Sequence, residues 1–383
     1  MLIDVSPAVH RKAGLGRYAE ELTAALSADA SRRDEYAVFY HAAGQAELGR
    51  VVRSLPAVVT TDSHYRWRLR ALLAQLVNLS QDRLLAHAPS IRLFHATEHL
   101  LPRFKRVRTV FTLHDLIFKF YPQYHLPRNW LYLQIAMPVF LRRADAVICV
   151  SESTRRDALR VYRLPEEKLH VIYEGVHPRF QRITDPAECR RVRDRLRLPE
   201  RYVLAVGTVE PRKNLATLFQ AYRAYLDGCP DQIDPPPILV AGKQGWLEAD
   251  SYRAVHRHRL SGLVRFLGYV DDADLPALYS MATVFVMPSV YEGFGLPVLE
   301  AMACGAPVIC SNAASLPEVA GDAALLVAPI DVAGWAKALQ RALGDAGLRA
   351  DLAARGLRRA AHFTWAEAAR QTRETYNRLL APV

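Results

Sequence analysis

The stretch 284-VFVMPSVYEGFGLPVLEAMACGAPVIC-310 decides the fold. It opens with a continuous apolar run, Val284–Met287, and closes with another, Pro307–Cys310. Unbroken apolar runs, unlike alternating ones, mark strands covered on both faces. Between them Pro297 suits the first turn of a helix and Gly305 its left-handed C-terminal cap, which predicts a helix from about Leu296 to Cys304. Two buried strands joined through a helix belong to a parallel sheet.

Outward from this unit the same alternation fills the chain. Towards the N-terminus the candidate strands are Leu2–Val5, Tyr36–Tyr40, Ala57–Thr60, Arg92–Ala96, Thr109–His114, Ala146–Val150 and His170–Tyr173. Beyond them come Tyr202–Val206, Ile238–Ala241, Val264–Leu267 and, after the opening stretch, Ala324–Val327. A chain of 383 residues exceeds one ordinary core, so two doubly wound α/β domains are expected. The boundary is expected in Glu174–Pro186, giving domains 1–178 and 179–363. A last helix, 364–383, opens with Thr364 and Glu367 at capping-box spacing and is expected to pack back on the first domain. Ligands of such sheets sit at the carboxyl ends of the strands, so a cleft between the domains is the expected site.

Composition narrows the class. Apolar residues at 51% and charged residues at 23% suit a globular enzyme and exclude a disordered chain. No apolar run reaches the ~18–20 residues that cross a bilayer, and MLIDVSPAVH lacks the basic lead of a secretory signal, so a cytoplasmic protein is expected. Five scattered cysteines lack metal spacing and read as reduced thiols. Charge is uneven: residues 1–180 carry 26 Lys+Arg against 17 Asp+Glu, and the remainder 24 against 22. The first half therefore expects an anionic partner, a phosphorylated substrate or an acidic membrane surface. Nucleic acid ranks lowest, because the basic residues do not interleave with aromatics.

Four segments carry chemistry. In YEGFGLPVLE, Gly293 and Gly295 let backbone amides approach a ligand, and the free amides at the helix start near Leu296 favour an anion. Glu292 and Glu300 can each accept two hydroxyl hydrogen bonds, which suits a polyol beside a phosphate. In VGTVEPRKN the cations Arg212 and Lys213 follow a strand end and could neutralise a departing diphosphate. In AGLGRYAEEL, Gly14-Leu15-Gly16 with Ala19 formally meets a dinucleotide fingerprint. It lies too far past its strand, however, and the second strand ends without a ribose-binding carboxylate. A nicotinamide dehydrogenase is thereby disfavoured. TVFTLHDLIF places His114 at a strand's carboxyl end, facing a ligand or satisfied in the core.

Together these segments resemble the family-4 glycosyltransferases, retaining enzymes of two Rossmann-like domains in the GT-B arrangement, and the likeness runs along nearly the whole chain. The resemblance implies a nucleoside-diphosphate sugar donor and a saccharide or lipid-linked saccharide acceptor, with no separate cofactor. It gives Glu292, Gly293, Phe294, Gly295 and Leu296 to the donor sugar and diphosphate, and Glu300 to the ribose. Lys213 matches the phosphate-binding lysine, His114 the histidine at the donor sugar, and the Gly14–Gly16 segment a loop whose Gly16 amide touches the phosphates. Gly268 and Tyr269, in FLGYV, stand where relatives receive the base. Thr208 replaces an arginine common in the family, and Arg212 takes that role in a mannosyltransferase-like subset, which favours GDP-mannose. A 2-epimerase or hydrolase of the same fold, or a non-catalytic sugar-nucleotide-binding protein, are the alternatives.

Three further features are read from the residues. Asp272-Ala273-Asp274 mimics a metal-binding pair but precedes LPALYSMA, where helix capping explains it, and no metal is expected. His95, in LFHAT, is a candidate on the acceptor side, and Asp115 has less support. In Arg66–Leu85 the residues Leu69, Leu72, Leu73, Leu76 and Val77 recur at helical spacing beside Arg66, Arg68 and Arg70. A core-packed helix is the commoner meaning, and contact with an anionic membrane on its inner face the alternative.

Overall fold

The computed structural model describes residues 1–10, 13–41, 48–229, 234–245 and 249–382. The apolar runs become strands because their side chains are covered on both faces: β4, β6, β9, β11 and β12 are buried at every position. In chain order the strands are β1 Leu2–Asp4, β2 Ala37–His41, β3 Ala57–Thr60, β4 Leu93–Ala96, β5 Arg108–Leu113, β6 Ala146–Cys149 and β7 Leu169–Val171. They continue as β8 Val203–Val206, β9 Ile238–Ala241, β10 Val264–Gly268, β11 Val284–Met287, β12 Val308–Ser311 and β13 Ala324–Val327.

Among the described residues the strands form two parallel sheets. One is ordered β3-β2-β1-β4-β5-β6-β7 and the other β10-β9-β8-β11-β12-β13. Both reverse direction of strand addition beside their first strand, the doubly wound order that opens a crevice at the carboxyl ends. In the first sheet that point lies between β1 and β4, and in the second between β8 and β11.

The chain divides into two compact units, Met1–Gly175 with Thr364–Val383, and Val176–Phe363. The first packs Phe94, Phe111, Leu113 and Phe140 beneath its helices, and the second Val286, Phe219, Tyr222 and Trp335. Burying each such side chain stabilises by about 1.5–3 kcal/mol. The helix Trp365–Leu380 is started by Thr364, whose Oγ accepts from the Glu367 amide at 3.2 Å. It joins the first unit through Tyr376, whose hydroxyl lies 2.6 Å from His95 Nδ1.

Three readings change. His95 is fully buried, its Nε2 lies 2.7 Å from Thr112 Oγ1, and burial, with His114, pushes its imidazole down to about 3. It is a neutral strut rather than an acceptor contact. Asp274 makes no side-chain cap, because its buried carboxylate faces Arg191 at 2.7 Å and Arg195 at 3.0 Å, while Asp272 pairs with Arg179. In Arg66–Leu85 the helix is His64–Leu76, and it packs through Trp67, Ala71, Leu72 and Ala74. Leu69, Leu73, Leu76 and Val77 face outward, so the leucine row is not the core face. The reason is the large Trp67, which claims the core and turns the leucines away. All five cysteines are free, and burial pushes the Cys304 and Cys310 thiols up to about 12.

Candidate active site

In the second unit the two strands at the switch point each end in a loop that carries charge. After β8, Gly207 adopts φ +142°, and a Cβ there would meet Lys213 Cε at 3.1 Å. The missing side chain leaves the lane along which Lys213 runs. A tight turn, Pro211–Lys213, follows, and Asn214 at φ +54° redirects the chain into the helix Leu215–Asp227. The Asn214 side-chain Nδ2 donates to the carbonyls of Pro288 (3.0 Å) and Pro329 (2.7 Å), and the Val290 backbone amide donates to the Arg212 carbonyl (2.9 Å). The loop after β8 is thus tied to the loop after β11.

That tie brings Arg212, Lys213 and Glu292 together. Lys213 Nζ donates to Glu292 Oε1 at 2.7 Å, and Arg212 Nη1 to Glu292 Oε2. Arg212 Nε also pairs with buried Glu210. Burial alone would raise the Glu292 carboxyl, but the two cations outweigh it and hold it at about 2. Lys213 moves against this: burial, with Arg212, pushes its amine down. The net contribution of the pair is therefore smaller than the Glu292 shift suggests, because a buried ion pair loses hydration on both partners.

Beyond Glu292 the loop reaches Gly295, at φ +113°, where a Cβ would meet Leu316 Cδ2 at 2.7 Å. Gly295 is the N-cap of the helix Leu296–Ala303, so no side chain caps its first turn. Ser315 Oγ sits 2.9 Å and 2.6 Å from the carbonyls of Glu292 and Phe294 and fixes the loop from below. Inside the helix Glu300 is 2% exposed, and Tyr279 Oη donates to its Oε2 at 2.9 Å. Gly268 (φ +70°) and Tyr269 stand at the end of β10, where Tyr269 is 60% exposed and stacks under Lys243 Nζ at 4.7 Å. Cations, uncapped amides and carboxylates on one sheet edge suit a diphosphate carrying sugars.

In the first unit His114 follows β5. Its Nε2 donates to the Thr97 carbonyl at 2.9 Å, its Nδ1 faces Glu174 Oε1 at 3.6 Å, and its ring meets Tyr18 edge-on. Asp115 is absorbed locally, accepting from the Ile117 amide. Gly14 and Gly16 do not form a loop; they lie in the first turn of the helix Ala13–Leu26. A Cβ on Gly16 would meet the Pro7 carbonyl at 2.9 Å, so close packing on the turn Ser6–Val9 requires that glycine. The Gly14 amide belongs to the four that open a helix without an intrahelical acceptor, whereas Gly16 stands one position further in.

Reading the sequence missed Glu210, Tyr279, Ser315 and Glu174. Glu210 stands inside VGTVEPRKN and was legible as a partner for Arg212. The others meet their partners only through the fold.

Two doubly wound parallel sheets of this order are the architecture of the GT-B glycosyltransferases. Residues 13–180 match the model of glycosyltransferase family 4, and residues 190–359 that of the group 1 glycosyl transferases. The chain is 33% identical over 99% of its length, and 100% of the other's, to an O-antigen chain mannosyltransferase B of Escherichia coli. A serotype-specific mannosyltransferase WbdA of the same species is 33% identical over 71% of this chain and 34% of its own. In fold it is similar to sucrose-phosphate synthase from Thermosynechococcus elongatus (TM-score 0.76, 24% identity, 99% and 98% of the two chains). The chain belongs to glycosyltransferase family 4 and is a glycosyltransferase with mannosyltransferase relatives.

Proposed function

We propose that the protein transfers a mannosyl group from GDP-mannose to a saccharide or lipid-linked saccharide acceptor, with retention at the anomeric carbon and without a metal on the diphosphate. The observation that carries this reading is the Arg212–Lys213–Glu292 cluster beside an uncapped helix start. The diphosphate gains charge as its bond to the sugar breaks. Arg212 and Lys213, exchanging Glu292 for phosphate oxygens, and the amides near Leu296 would stabilise that charge. One such donor is worth about 10²–10³ in rate. Two fixed cations make a metal dispensable there.

Glu292, released from its cations, would accept from sugar hydroxyls with the amides of Gly293, Phe294 and Gly295, and Glu300 from the ribose. Gly268 and Tyr269 would receive the base. Gly14, Gly16 and His114 of the first unit are assigned to the same donor by the family likeness. The bond from the anomeric carbon to the leaving phosphate breaks as the acceptor oxygen bonds on the same face. The acceptor proton passes to the departing phosphate oxygen. Mannose rests on the end-to-end likeness to an O-antigen mannosyltransferase.

A lipid-linked acceptor draws support from the outward row Tyr65, Leu69, Leu73 and Leu76 with Arg66, which would rest on an anionic surface at the inner face of the membrane. Among the described residues no helix is long and apolar enough to cross a membrane.

The test is a thermal-shift panel of GDP, UDP, ADP, dTDP and CDP, followed by transfer from the matching sugar nucleotide in chelator. Proton NMR of the product reads the anomeric configuration. Stabilisation by GDP and a retained anomer are expected. Stabilisation by none of the five, or an inverted product, would overturn the reading, and nucleotide release without any transfer would indicate a hydrolase.

A further inference from the structure

The first unit carries a second cluster of ligating groups that the transfer reaction leaves unused. His41 ends β2, His64 opens the helix His64–Leu76 after β3, and Glu98 follows β4 by two residues. All three stand at the carboxyl edge of the sheet. One nitrogen from each histidine and one Glu98 oxygen lie within 4.8 Å of one another, and His41 Nε2 is 3.7 Å from Glu98 Oε1.

His41 is the telling residue. It is fully buried, and among the described residues neither ring nitrogen has a hydrogen-bond partner. Leaving a buried polar atom unsatisfied costs about 1–3 kcal/mol, so such an atom asks for an explanation. Its backbone is well held: the His41 amide donates to Ser6 Oγ at 3.2 Å, and the ring stacks on His64. Asp4, 1% exposed, adds a second carboxylate to the same pocket. A cation there would accept the lone pair of a His41 ring nitrogen that no described residue engages.

We propose that His41, His64 and Glu98 bind one divalent d-block cation of the zinc class. Two imidazoles and a carboxylate suit zinc, whereas magnesium and calcium prefer oxygen ligands throughout. A tetrahedral zinc holds its ligands about 3.3 Å apart, so the widest pair must close by about 1.5 Å. His64, at a helix start, can supply that movement. Three protein ligands leave a fourth position for water or a ligand oxygen. The site adjoins Thr97, whose carbonyl holds His114, and so borders the transfer groups without sharing a residue with them. This departs from the expectation that the chain binds no metal, which weighed the scattered cysteines, Asp272 with Asp274 and the family resemblance, but not these histidines.

Tag-free full-length protein, stripped with chelator and titrated with cobalt(II) and then zinc, tests the site. One cobalt per chain with tetrahedral ligand-field bands, displaced by zinc, is expected. His64→Ala and Glu98→Gln should each weaken binding at least about 100-fold, beyond the 10–100-fold typical of supporting residues. Far-UV circular dichroism and urea unfolding of each variant, which report on both units, serve as the folding control. Absence of bands in the wild type, or unchanged binding in a folded variant, would overturn the site.

Discussion

The two units bury carboxylates in opposite ways. In the second, Glu292 faces Arg212 and Lys213, which hold it at about 2 despite burial. In the first, Asp4 faces another carboxylate, Glu98, and burial together with that neighbour pushes it up to about 7. One unit carries its cations in its own sequence, ready to be handed to a diphosphate. The other gathers two histidines and a carboxylate, His41, His64 and Glu98. The same carboxyl edge of the sheet thus carries paired cations in one unit and a cluster of ligating groups in the other.

Glu292→Ala should break the comparison most severely. It leaves buried Lys213 without its hydrogen-bonded carboxylate and Arg212 with Glu210 alone, so a stability loss of about 3 kcal/mol in urea unfolding is expected, with transfer abolished. A stable variant would mean that the cations are already solvated. Lys213→Ala should lower kcat by about 10²–10³ and weaken nucleoside-diphosphate binding, and unchanged turnover would remove Lys213 from the site.

Glu300→Ala should weaken nucleotide binding about 10–100-fold in calorimetry, and Tyr279→Phe, which loses one hydrogen bond, about 3–10-fold. Equal affinities across the three proteins would refute the ribose assignment. Acid titration sharpens the contrast further. The Glu292 carboxyl is depressed in the fold, so its contribution is intact above about pH 4.5 and is lost as pH falls towards about 2. Glu292→Gln should flatten that part of the stability profile. The smallest effect is expected from Asp4→Asn, which removes repulsion with Glu98 and should move stability by no more than about 1 kcal/mol.

The fold was legible because many of the strands, such as Ile238–Ala241 and Val284–Met287, are short unbroken apolar runs. Ala57–Thr60, Ile238–Ala241, Val284–Met287 and Ala324–Val327 have the same limits in sequence and structure. Gly305 does take a left-handed conformation, at φ +74°. The candidate site was legible where its groups lie within one segment, as in Arg212-Lys213 or Glu292 to Glu300. It was not legible where a partner arrives from a distant strand. Tyr279 reaches Glu300 across 21 residues, Glu174 reaches His114 across 60, and His41, His64 and Glu98 share no local pattern. The outward leucines of His64–Leu76 show the limit of periodicity, which finds a helical stripe but not the side that a tryptophan has already claimed.

The division of the chain at Gly175 and Thr364 has a consequence for synthesis. The first unit contains the helix Trp365–Leu380, and Tyr376 is needed to engage His95. On the ribosome the whole second unit emerges before that helix does. The unit that is begun first is therefore finished last, and its seven strands must wait through 188 residues of translation for the helix that completes it.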